Sequence, residues 1–379
     1  MEEKQRKKDL QVPPLRFPGF TDEWKNVTFK EVVTLQRGSS PRPIVNYITH
    51  DDSGVNWIRI GDMPSIGRLV TQTEEKITVE GAIKSRHVNI GDLILSNSMS
   101  FGQPYIMGIE GYIHDGWFVL KNFEKYIDRD FLCNLLIAPI IQKQYSKLAA
   151  GGVVQNISSE LVNSVKFSIP PLYEQQKIVS LLNAIDERIE LQNKIINKMQ
   201  SLIKGLAKTL THPEESNTKV SDCLDCHTSS LQEGTLNDNG QYPVYGASGI
   251  AGFLDDYRCD EDAILIIKDG SGAGTVSYAA GEYSVIGTLN YLTAKPGYSL
   301  KYLYFCLMSL NFEPFKTGMA IPHIYFKDYG QAKIYCPPVE SQDHIAKVLT
   351  IIENKLDIES QLLNSLYMEK QYFLSNMFI

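Results

Sequence analysis

The chain has 379 residues, of which 43% are hydrophobic and 21% charged, a composition that excludes a disordered or fibrous protein. Because single hydrophobic cores stop growing near about 250 residues, this length predicts at least two domains. The net charge of −7 argues against a broadly basic nucleic-acid-binding surface, and the sequence contains no apolar stretch long enough to predict a membrane span.

Residues 1–24 are predicted to form an N-terminal arm. They begin with the mixed-charge run MEEKQRKKD, which lacks the apolar stretch of an export signal, so we expect a cytoplasmic protein. The six cysteines are scattered, and in such a protein this predicts reduced thiols and no disulfide framework. The run Cys223-Leu224-Asp225-Cys226-His227 has the spacing of a haem attachment site, but no haem-pocket pattern or second zinc-binding pair accompanies it.

Residues 25–170 are predicted to form a first β-rich domain. Short runs of strand-forming residues, such as Trp57–Met63 and His87–Ser98, are broken by Gly, Asn and Asp and predict strands and turns. The stretch from Arg129 to Ala149 has the apolar spacing of a helix. The first domain is therefore expected to be α+β.

Residues 171–212 are predicted to form a long helix. Pro170 and Pro171 end the preceding strand because proline has no amide N–H, and a helix can begin directly after them. Apolar residues then recur in alternating steps of three and four, which is typical of a coiled-coil seam, and Gln192 interrupts the seam near its middle. The seam positions are Ile178, Leu182, Ile185, Ile189, Ile196, Met199, Ile203, Leu206 and Leu210.

Residues 213–337 are predicted to form a second α+β domain, with strands in Ala263–Gly270 and Gly274–Ala294 and a helix in SLKYLYFCLMSL. This segment carries 8 Lys+Arg against 15 Asp+Glu, so its own net charge is −7, equal to the net charge of the whole chain. The glycine-rich run Gly270–Gly274 is followed by a strand pattern, whereas a phosphate-binding loop needs a helix at that point. Because the sequence has no cofactor loop, nucleophile motif or metal-ligand set, we expect a chain that is not catalytic.

Residues 338–379 repeat the first long helix at an offset of 167 residues. The blocks Val165–Ile189 and Ala332–Leu356 share the Pro-Pro pair and a glutamine, at 175 and 342. The second seam consists of Ile345, Leu349, Ile352, Leu356, Leu363, Leu366, Phe373 and Met377, with Glu359 at the position of Gln192 and Lys370 at that of Ile203. Two such helices in one chain predict an antiparallel coiled coil about a pseudo-two-fold axis, with Gln192 near Glu359 as a polar pair that sets the register.

The motif LRFPGFTDEW (Leu15–Trp24), the two β-rich domains and the two Pro-Pro helices resemble the specificity (S) subunit of type I restriction-modification systems over nearly the whole chain. The resemblance implies a non-catalytic subunit whose two target recognition domains each bind one half of a bipartite double-stranded DNA sequence. It implies that the helices set the spacing and hold two modification subunits, which bind S-adenosylmethionine and methylate adenine. The resemblance also implies that restriction subunits can join them as an ATP-dependent translocase and nuclease.

From the residues alone, a second hypothesis stays open. The acidic second domain also suits a coiled-coil adaptor whose β-rich domains bind proteins and not DNA.

Recognition of DNA needs hydrogen-bonding groups on loops to contact base edges, and Lys or Arg to contact phosphates. Each candidate below is also an ordinary type of surface residue. In the first domain the candidates are Arg37, Ser39, Ser40, Arg42, Lys84, Arg86, Asn97 and Ser98, with Gln155 and Asn156 added because the resemblance implies that their loop lies beside the DNA. In the second domain they are Tyr245, Gly246, Ser248, Lys268, Ser271, Lys316 and His323.

Overall fold

A computed structural model of the protein describes residues 12–64, 66–97, 102–149, 157–211, 216–237, 239–318 and 321–379. The described residues up to Asn193, together with Leu362–Ile379, form one compact unit, and those within Lys194–Gln361 form a second. Both units mix helices with mainly antiparallel sheets, so the prediction of an α+β fold is confirmed. Within the described part of the chain, no helix is both long and apolar enough to cross a bilayer.

The first unit contains two five-stranded sheets and a strand pair. Its strands are β1 (Lys25–Thr28), β2 (Thr34–Arg37), β3 (Ile48–Thr49), β4 (Val55–Ile58), β5 (Leu69–Val70), β6 (Glu75–Ile77), β7 (Arg86–Val88), β8 (Leu93–Ser96), β9 (Pro104–Met107), β10 (Gly111–Ile113), β11 (Trp117–Lys121) and β12 (Lys166–Ile169). Its short helices are α1 (Phe29–Val32), α2 (Val79–Ile83), α3 (Arg129–Ile137), α4 (Pro139–Ala149) and α5 (Ser159–Ser164). The strand orders are β2-β11-β8-β9-β5, β3-β6-β4-β10-β7 and β1-β12.

The second unit repeats this plan with fewer strands. Its strands are β13 (Thr218–Lys219), β14 (Leu224–Thr228), β15 (Tyr242–Gly246), β16 (Gly249–Leu254), β17 (Ala263–Ile267), β18 (Val276–Ala279), β19 (Ser284–Val285), β20 (Leu289–Ala294) and β21 (Lys333–Ile334). Its short helices are α7 (Val220–Cys223), α8 (Leu300–Ser309) and α9 (Phe326–Tyr329). The strand orders are β14-β20-β17-β18, β16-β15-β19 and β13-β21.

The long helices are α6 (Leu172–Thr211) and α10 (Val339–Asn376), and each contributes residues to both units. The boundary between the two units falls within both long helices. The predicted division of the chain into an arm, two domains and two helices therefore stays a prediction. Short 3-10 turns lie at Ile44–Asn46, Ile60–Asp62, Glu233–Thr235 and Glu313–Phe315.

The central strands β8 and β17 occupy equivalent places in their sheets and are buried on both faces. In β8, Leu93 and Leu95 belong to the core that contains the residues of α3, whereas Ile94 packs in the core shared with the other five-stranded sheet. In β17, Ile264 and Leu265 likewise face two different cores. Because alternate side chains of a strand point to opposite faces, burial on both sides explains the uninterrupted apolar runs in the sequence.

Within the first unit, α6 and α10 pack antiparallel. Ile178 of α6 shares a core with Met377 of α10, and further along α6, Ile189 packs with Leu366, which comes earlier in α10. Within the second unit, Ala207 of α6 packs in one core with Leu349 of α10. The predicted pairing of the two long helices is therefore confirmed in each unit.

The seam in the second unit differs in detail from the predicted one. Ala207 is fully buried and Ala346 is 5% exposed, whereas Met199, Leu206 and Leu210 are half-buried. Neither alanine belongs to the predicted seams, because we counted large apolar residues alone. The contact between α6 and α10 in the second unit therefore involves small side chains that are not part of the predicted seams.

Lys370 is paired inside the first unit. Its ammonium group forms an ion pair with the Asp186 carboxylate of α6, and Arg68 Nη2 lies 3.8 Å from the same carboxylate. Burial, followed by the Arg68 charge, lowers the pKa of Lys370, and Asp186 opposes this shift. The lysine that interrupts the seam thus has a carboxylate partner on the opposite helix.

The glutamine shared by the two repeats has the same role in both units. Gln175 Oε1 accepts a hydrogen bond from the backbone N–H of Asp128, the N-cap of α3, at 2.8 Å. Gln342 Oε1 accepts one from the backbone N–H of Ser299, the N-cap of α8, at 2.9 Å. In each case Nε2 donates to the carbonyl of the first proline of the Pro-Pro pair. These buried amides link the start of each long helix to a domain helix.

The N-terminal arm is held by Glu174, which is 1% exposed. Arg16 donates to this carboxylate through Nε at 2.6 Å and Nη2 at 2.8 Å, and the Trp24 indole N–H lies 3.3 Å from it. The hydrogen bond to Glu174 raises the pKa of Arg16. Phe20 stacks on Tyr173 at 5.3 Å between ring centroids. The residues of the LRFPGFTDEW motif therefore fix the arm to the start of α6.

The predicted register pair stays a prediction. Gln192 is 6% exposed, and the side chain of Glu359 forms an ion pair with Lys355 of the same helix at 2.5 Å.

Candidate nucleic-acid interface

Four of the predicted residues in the first unit converge on Asp115, in the turn between β10 and β11. The Ser40 hydroxyl donates to Asp115 Oδ1 and Arg42 Nη2 donates to Oδ2, both at 3.0 Å. The main-chain oxygen of Asp115 accepts from Asn97 Nδ2 at 2.8 Å and from Arg37 Nε at 3.3 Å. We call these five residues the Asp115 cluster.

Strand register brings the cluster together. β11 lies between β2 and β8, with Phe118 opposite Arg37 and Trp117 opposite Ser96. The ends of β2 and β8 therefore lie beside the turn that precedes β11. Gly38 permits the close approach, because a Cβ atom there would lie 1.9 Å from the main-chain oxygen of His114.

The cluster combines a fixed carboxylate with an exposed cation. The side chain of Arg42 is 80% exposed and that of Asp115 is 42% exposed. Burial alone raises the pKa of Asp115, but hydrogen bonds from Ser40 and its own backbone, together with the Arg42 charge, bring the pKa below its usual value. The carboxylate therefore stays ionised near neutral pH and orients the donors around it.

Two other predicted residues adjoin the cluster and one does not. Arg86 Nε donates to the main-chain oxygen of Arg37 at 3.1 Å, and the Ser39 N–H donates to the main-chain oxygen of Ile113 at 3.3 Å. Lys84 lies apart at the end of α2, with its ammonium group 4.7 Å from the centroid of the Tyr47 ring. Ser98, Gln155 and Asn156 lie outside the described residues.

A cleft of about 680 Å³ adjoins the cluster. Arg42, Asp115 and His114 line it together with Trp57 and Arg59. The His114 ring contacts two indoles, with a distance of 6.2 Å between ring centroids to both Trp57 and Trp117. We did not predict His114 or the cleft from the sequence.

His114 makes the first unit sensitive to acid. Its Nδ1 accepts the Gly116 N–H at 2.8 Å, which requires a neutral ring. Burial lowers the pKa of His114 and Arg59 adds to the shift, while Asp115 and Asp62 oppose it. Because the folded-state pKa lies below the unfolded value of 6.5, this histidine contributes stability at neutral pH that is lost as pH falls below that value.

We therefore expect the free energy of unfolding to fall between pH 7.5 and 5.5, with a contribution from His114 of at most about 1.4 kcal/mol per pH unit. A His114→Asn variant keeps an acceptor for the Gly116 N–H but does not titrate, so its stability should fall less over this range. Urea denaturation at both pH values measures the difference. An equal fall in the two proteins contradicts the role of His114.

In the second unit, three predicted residues gather where the end of β17 meets a later loop. His323 Nδ1 lies 2.7 Å from Asp269 Oδ1, and His323 exchanges two backbone hydrogen bonds with Thr317. The main-chain oxygen of Lys268 accepts from the N–H of Ile324 at 2.9 Å. Lys316, next to Thr317, forms an ion pair with Glu313 at 2.5 Å. We call Lys268, Asp269, Lys316 and His323 the His323 cluster.

The remaining candidates of the second unit lie in two turns. Ser271 is exposed and follows Gly270, whose φ of +100° favours glycine. Tyr245 and Gly246 end β15, and Ser248 is exposed in the turn to β16. The segment 286–288 links this turn to the cluster: Ile286 N–H donates to the oxygen of Tyr245, and the oxygen of Thr288 accepts from Lys268 N–H, both at 3.0 Å.

The central acidic residue of each cluster was missed from the sequence. Asp115 and Asp269 each precede a glycine in a turn next to a strand, which is β11 for Asp115 and β17 for Asp269. The Asp-Gly dipeptide is a turn signal and could have drawn attention to both. Which donors surround each carboxylate depends on strand pairing, which the dipeptide does not reveal.

Nothing in the described parts of the chain forms a cluster of three or more His, Cys, Asp or Glu side chains that could hold a metal ion. The His227 ring of the Cys-x-x-Cys-His run stacks on Tyr291 at 4.9 Å, and its Nε2 lies 3.0 Å from Thr293 Oγ1. These contacts join His227 of β14 to side chains of the neighbouring strand β20.

Known proteins share both the sequence pattern and the fold. The family model of the type I restriction modification DNA specificity domain matches residues 21–201 and 219–368. The type I restriction enzyme MjaVIII specificity subunit of Methanocaldococcus jannaschii is 27% identical over 200 residues, which are 50% of this chain and 45% of that protein. A putative type I specificity subunit of Mycoplasma pneumoniae is 28% identical over 130 residues, covering 32% of this chain and 42% of that protein. The chain thus matches less than half the length of these relatives.

Among solved structures, the type I restriction-modification S subunit from M. genitalium has a TM-score of 0.61 at 17% identity, covering 97% of this chain and 99% of that one. A chain from a study of complex assembly and conformational transition in the type I R-M system has a TM-score of 0.57 at 18% identity, covering 96% and 98%. At 17% and 18% sequence identity, these two structures show a similarity of fold. Since the family model matches most of the sequence, in two blocks that correspond to the internal repeat, the chain belongs to the type I restriction-modification DNA specificity family.

Proposed function

We propose that this protein is the DNA-recognition subunit of a type I restriction-modification complex. In this proposal each unit binds one half of a bipartite target in double-stranded DNA, and the chain itself catalyses no reaction. The observation that carries the proposal is the pair of clusters. Polar and basic side chains gather at the same edge of equivalent sheets, around Asp115 in one unit and around Asp269 in the other.

The acidic net charge makes local cations important. A protein with a net charge of −7 lacks a general attraction for phosphates, so binding depends on individual basic side chains and on a basic partner. Arg37 in the first unit, and Lys268 and Lys316 in the second, supply positive charge beside the candidate base-contacting groups. These positions support contacts with the DNA backbone next to each half-site.

The family supports the partners in this proposal. The relatives are named as specificity subunits of type I restriction enzymes. We infer that this chain holds two modification subunits, which bind S-adenosylmethionine and methylate adenine. Restriction subunits can then join to translocate and cleave DNA with ATP. The long helices α6 and α10 are the elements that we assign to spacing the half-sites and to docking these subunits.

Exchange of one domain tests the proposal. We expect replacement of residues 25–165 by the matching segment of another family member to change one half of the methylated sequence and to leave the other half intact. The measurement is methylome sequencing of DNA modified by the chain assembled with its modification subunits. The reciprocal exchange of residues 213–337 is the matched control and should change the other half.

A change in both halves after one exchange contradicts the assignment of one half-site to each unit.

Binding measurements on the same complex distinguish DNA recognition from the protein-binding alternative. A DNA-recognition subunit prefers its own target to a scrambled duplex, and its affinity falls steeply as salt rises. Equal affinity for both duplexes favours the adaptor.

A further inference from the structure

Arg42 is the most preorganised exposed cation of the Asp115 cluster. One of its terminal nitrogens, Nη2, donates to Asp115 Oδ2 at 3.0 Å, while the side chain stays 80% exposed. Pro41 and Pro43 flank it, and proline restricts the backbone on both sides. Since the guanidinium is a planar fork with five N–H donors, one bond to Asp115 leaves donors in the same plane for a second partner.

Both oxygens of the carboxylate that binds Arg42 already accept hydrogen bonds. Asp115 Oδ2 accepts from Arg42 and Oδ1 accepts from Ser40, both at 3.0 Å. It is therefore suited to orienting a donor and less suited to accepting from a base. Arg37 differs, because its Nε donates to a main-chain oxygen and the side chain has no carboxylate partner in the cluster.

We propose that Arg42, oriented by Asp115, recognises a guanine of the first half-site by donating two hydrogen bonds to its O6 and N7. The inference rests on the proposed function and deepens it, since it names a base for one half-site. An arginine fork matches the two acceptors that guanine presents in the major groove, and other bases do not present this pair. Asp115 is a positioning residue, because it acts on the DNA through Arg42.

The test uses the full chain assembled with its modification subunits and the target duplex identified by methylome sequencing. Each guanine of the first half-site is replaced in turn by 7-deazaguanine, which lacks the N7 acceptor, and Kd is measured. At one guanine we expect the wild-type complex to lose affinity by about 5- to 10-fold, the lower part of the range for a bidentate pair. Arg42→Ala should weaken binding to the unmodified target and show no further loss with 7-deazaguanine at that position.

Two further variants distinguish recognition of a base from general electrostatic attraction between the protein and the DNA phosphates. Arg42→Lys keeps the charge but lacks the fork, so it should lose discrimination at that base pair while the salt dependence of binding is retained. Asp115→Asn should weaken the same discrimination and leave the mismatch penalties of the second half-site unchanged. Lys125→Ala, which removes an exposed charge from the turn before α3, is the charge-matched control and should change Kd less than about twofold.

Three outcomes overturn the inference. The first is a first half-site that contains no guanine. The second is a loss of affinity with 7-deazaguanine that persists in Arg42→Ala. A loss in Arg42→Ala that is equal for target and scrambled duplex assigns Arg42 to a phosphate and also overturns it. In these cases the second half-site still discriminates, so the proposed function stands. Equal wild-type affinity for target and scrambled duplex overturns both.

Discussion

Replacement of Gly38 by alanine is expected to abolish specific binding of the first half-site and to lower stability by about 2–4 kcal/mol. A Cβ atom at this position would lie 1.9 Å from the main-chain oxygen of His114 and 2.8 Å from its carbonyl carbon. Backbone atoms cannot rotate away as a flexible side chain can, so the end of β2 must separate from the turn before β11. That separation weakens the Gly38 N–H bond to Trp117, which measures 2.8 Å.

The measurements are urea denaturation of the chain and methylome sequencing of the assembled complex. Methylation should become unspecific or disappear at the first half-site, because Arg37, Ser40 and Arg42 no longer reach Asp115 together. Gly61→Ala is the matched control in the same unit, because a Cβ atom there would have no neighbour within 4 Å. If Gly38→Ala keeps wild-type target specificity, the Asp115 cluster is not the recognition surface of the first unit.

Loss of the Glu174 carboxylate is the second large effect that we expect. Glu174→Ala leaves Arg16, whose side chain is 12% exposed, without its carboxylate partner, although the main-chain oxygen of Asp22 still accepts from Nη2 at 2.7 Å. Breaking a buried ion pair in this way costs about 3–5 kcal/mol, because the remaining charge stays desolvated. The Trp24 indole N–H loses its acceptor as well. We therefore expect a destabilised first unit and release of the N-terminal arm.

Hydrogen exchange should show faster exchange in residues 15–24 of Glu174→Ala, and urea denaturation should give the loss of stability. Glu187→Ala, an exposed glutamate on the same helix, is the control and should change stability by less than about 0.5 kcal/mol. Slow exchange of the arm in Glu174→Ala, equal to wild type, contradicts the view that this carboxylate anchors the motif.

The pair of shared glutamines shows how a sequence repeat corresponds to a repeated contact. Gln175 and Gln342 are both buried, and each accepts the N–H of an N-cap residue of a domain helix. The N-cap residues themselves differ, Asp128 in one unit and Ser299 in the other. Because the partner atom is a backbone N–H, its side chain could diverge while the contact stayed the same.

We could predict the internal repeat, the two long helices and the α+β character of the domains from the sequence. These features depend on local signals. Heptad spacing defines a helix face, the Pro-Pro pairs end the preceding strands, and β-branched runs between turn residues define strands. The apolar positions near Ile178 and Leu349 could therefore be assigned to a helix contact without coordinates, although the contribution of Ala207 could not.

The contacts between polar side chains depend on the tertiary structure. Arg37, Asn97 and Asp115 come from three separate parts of the chain and are joined by the register of β2, β8 and β11. The ion pair between Lys370 and Asp186 likewise depends on the antiparallel packing of α6 and α10. Strand register and helix packing are set by burial summed over a whole core, so a short motif cannot specify the partner of a single polar side chain.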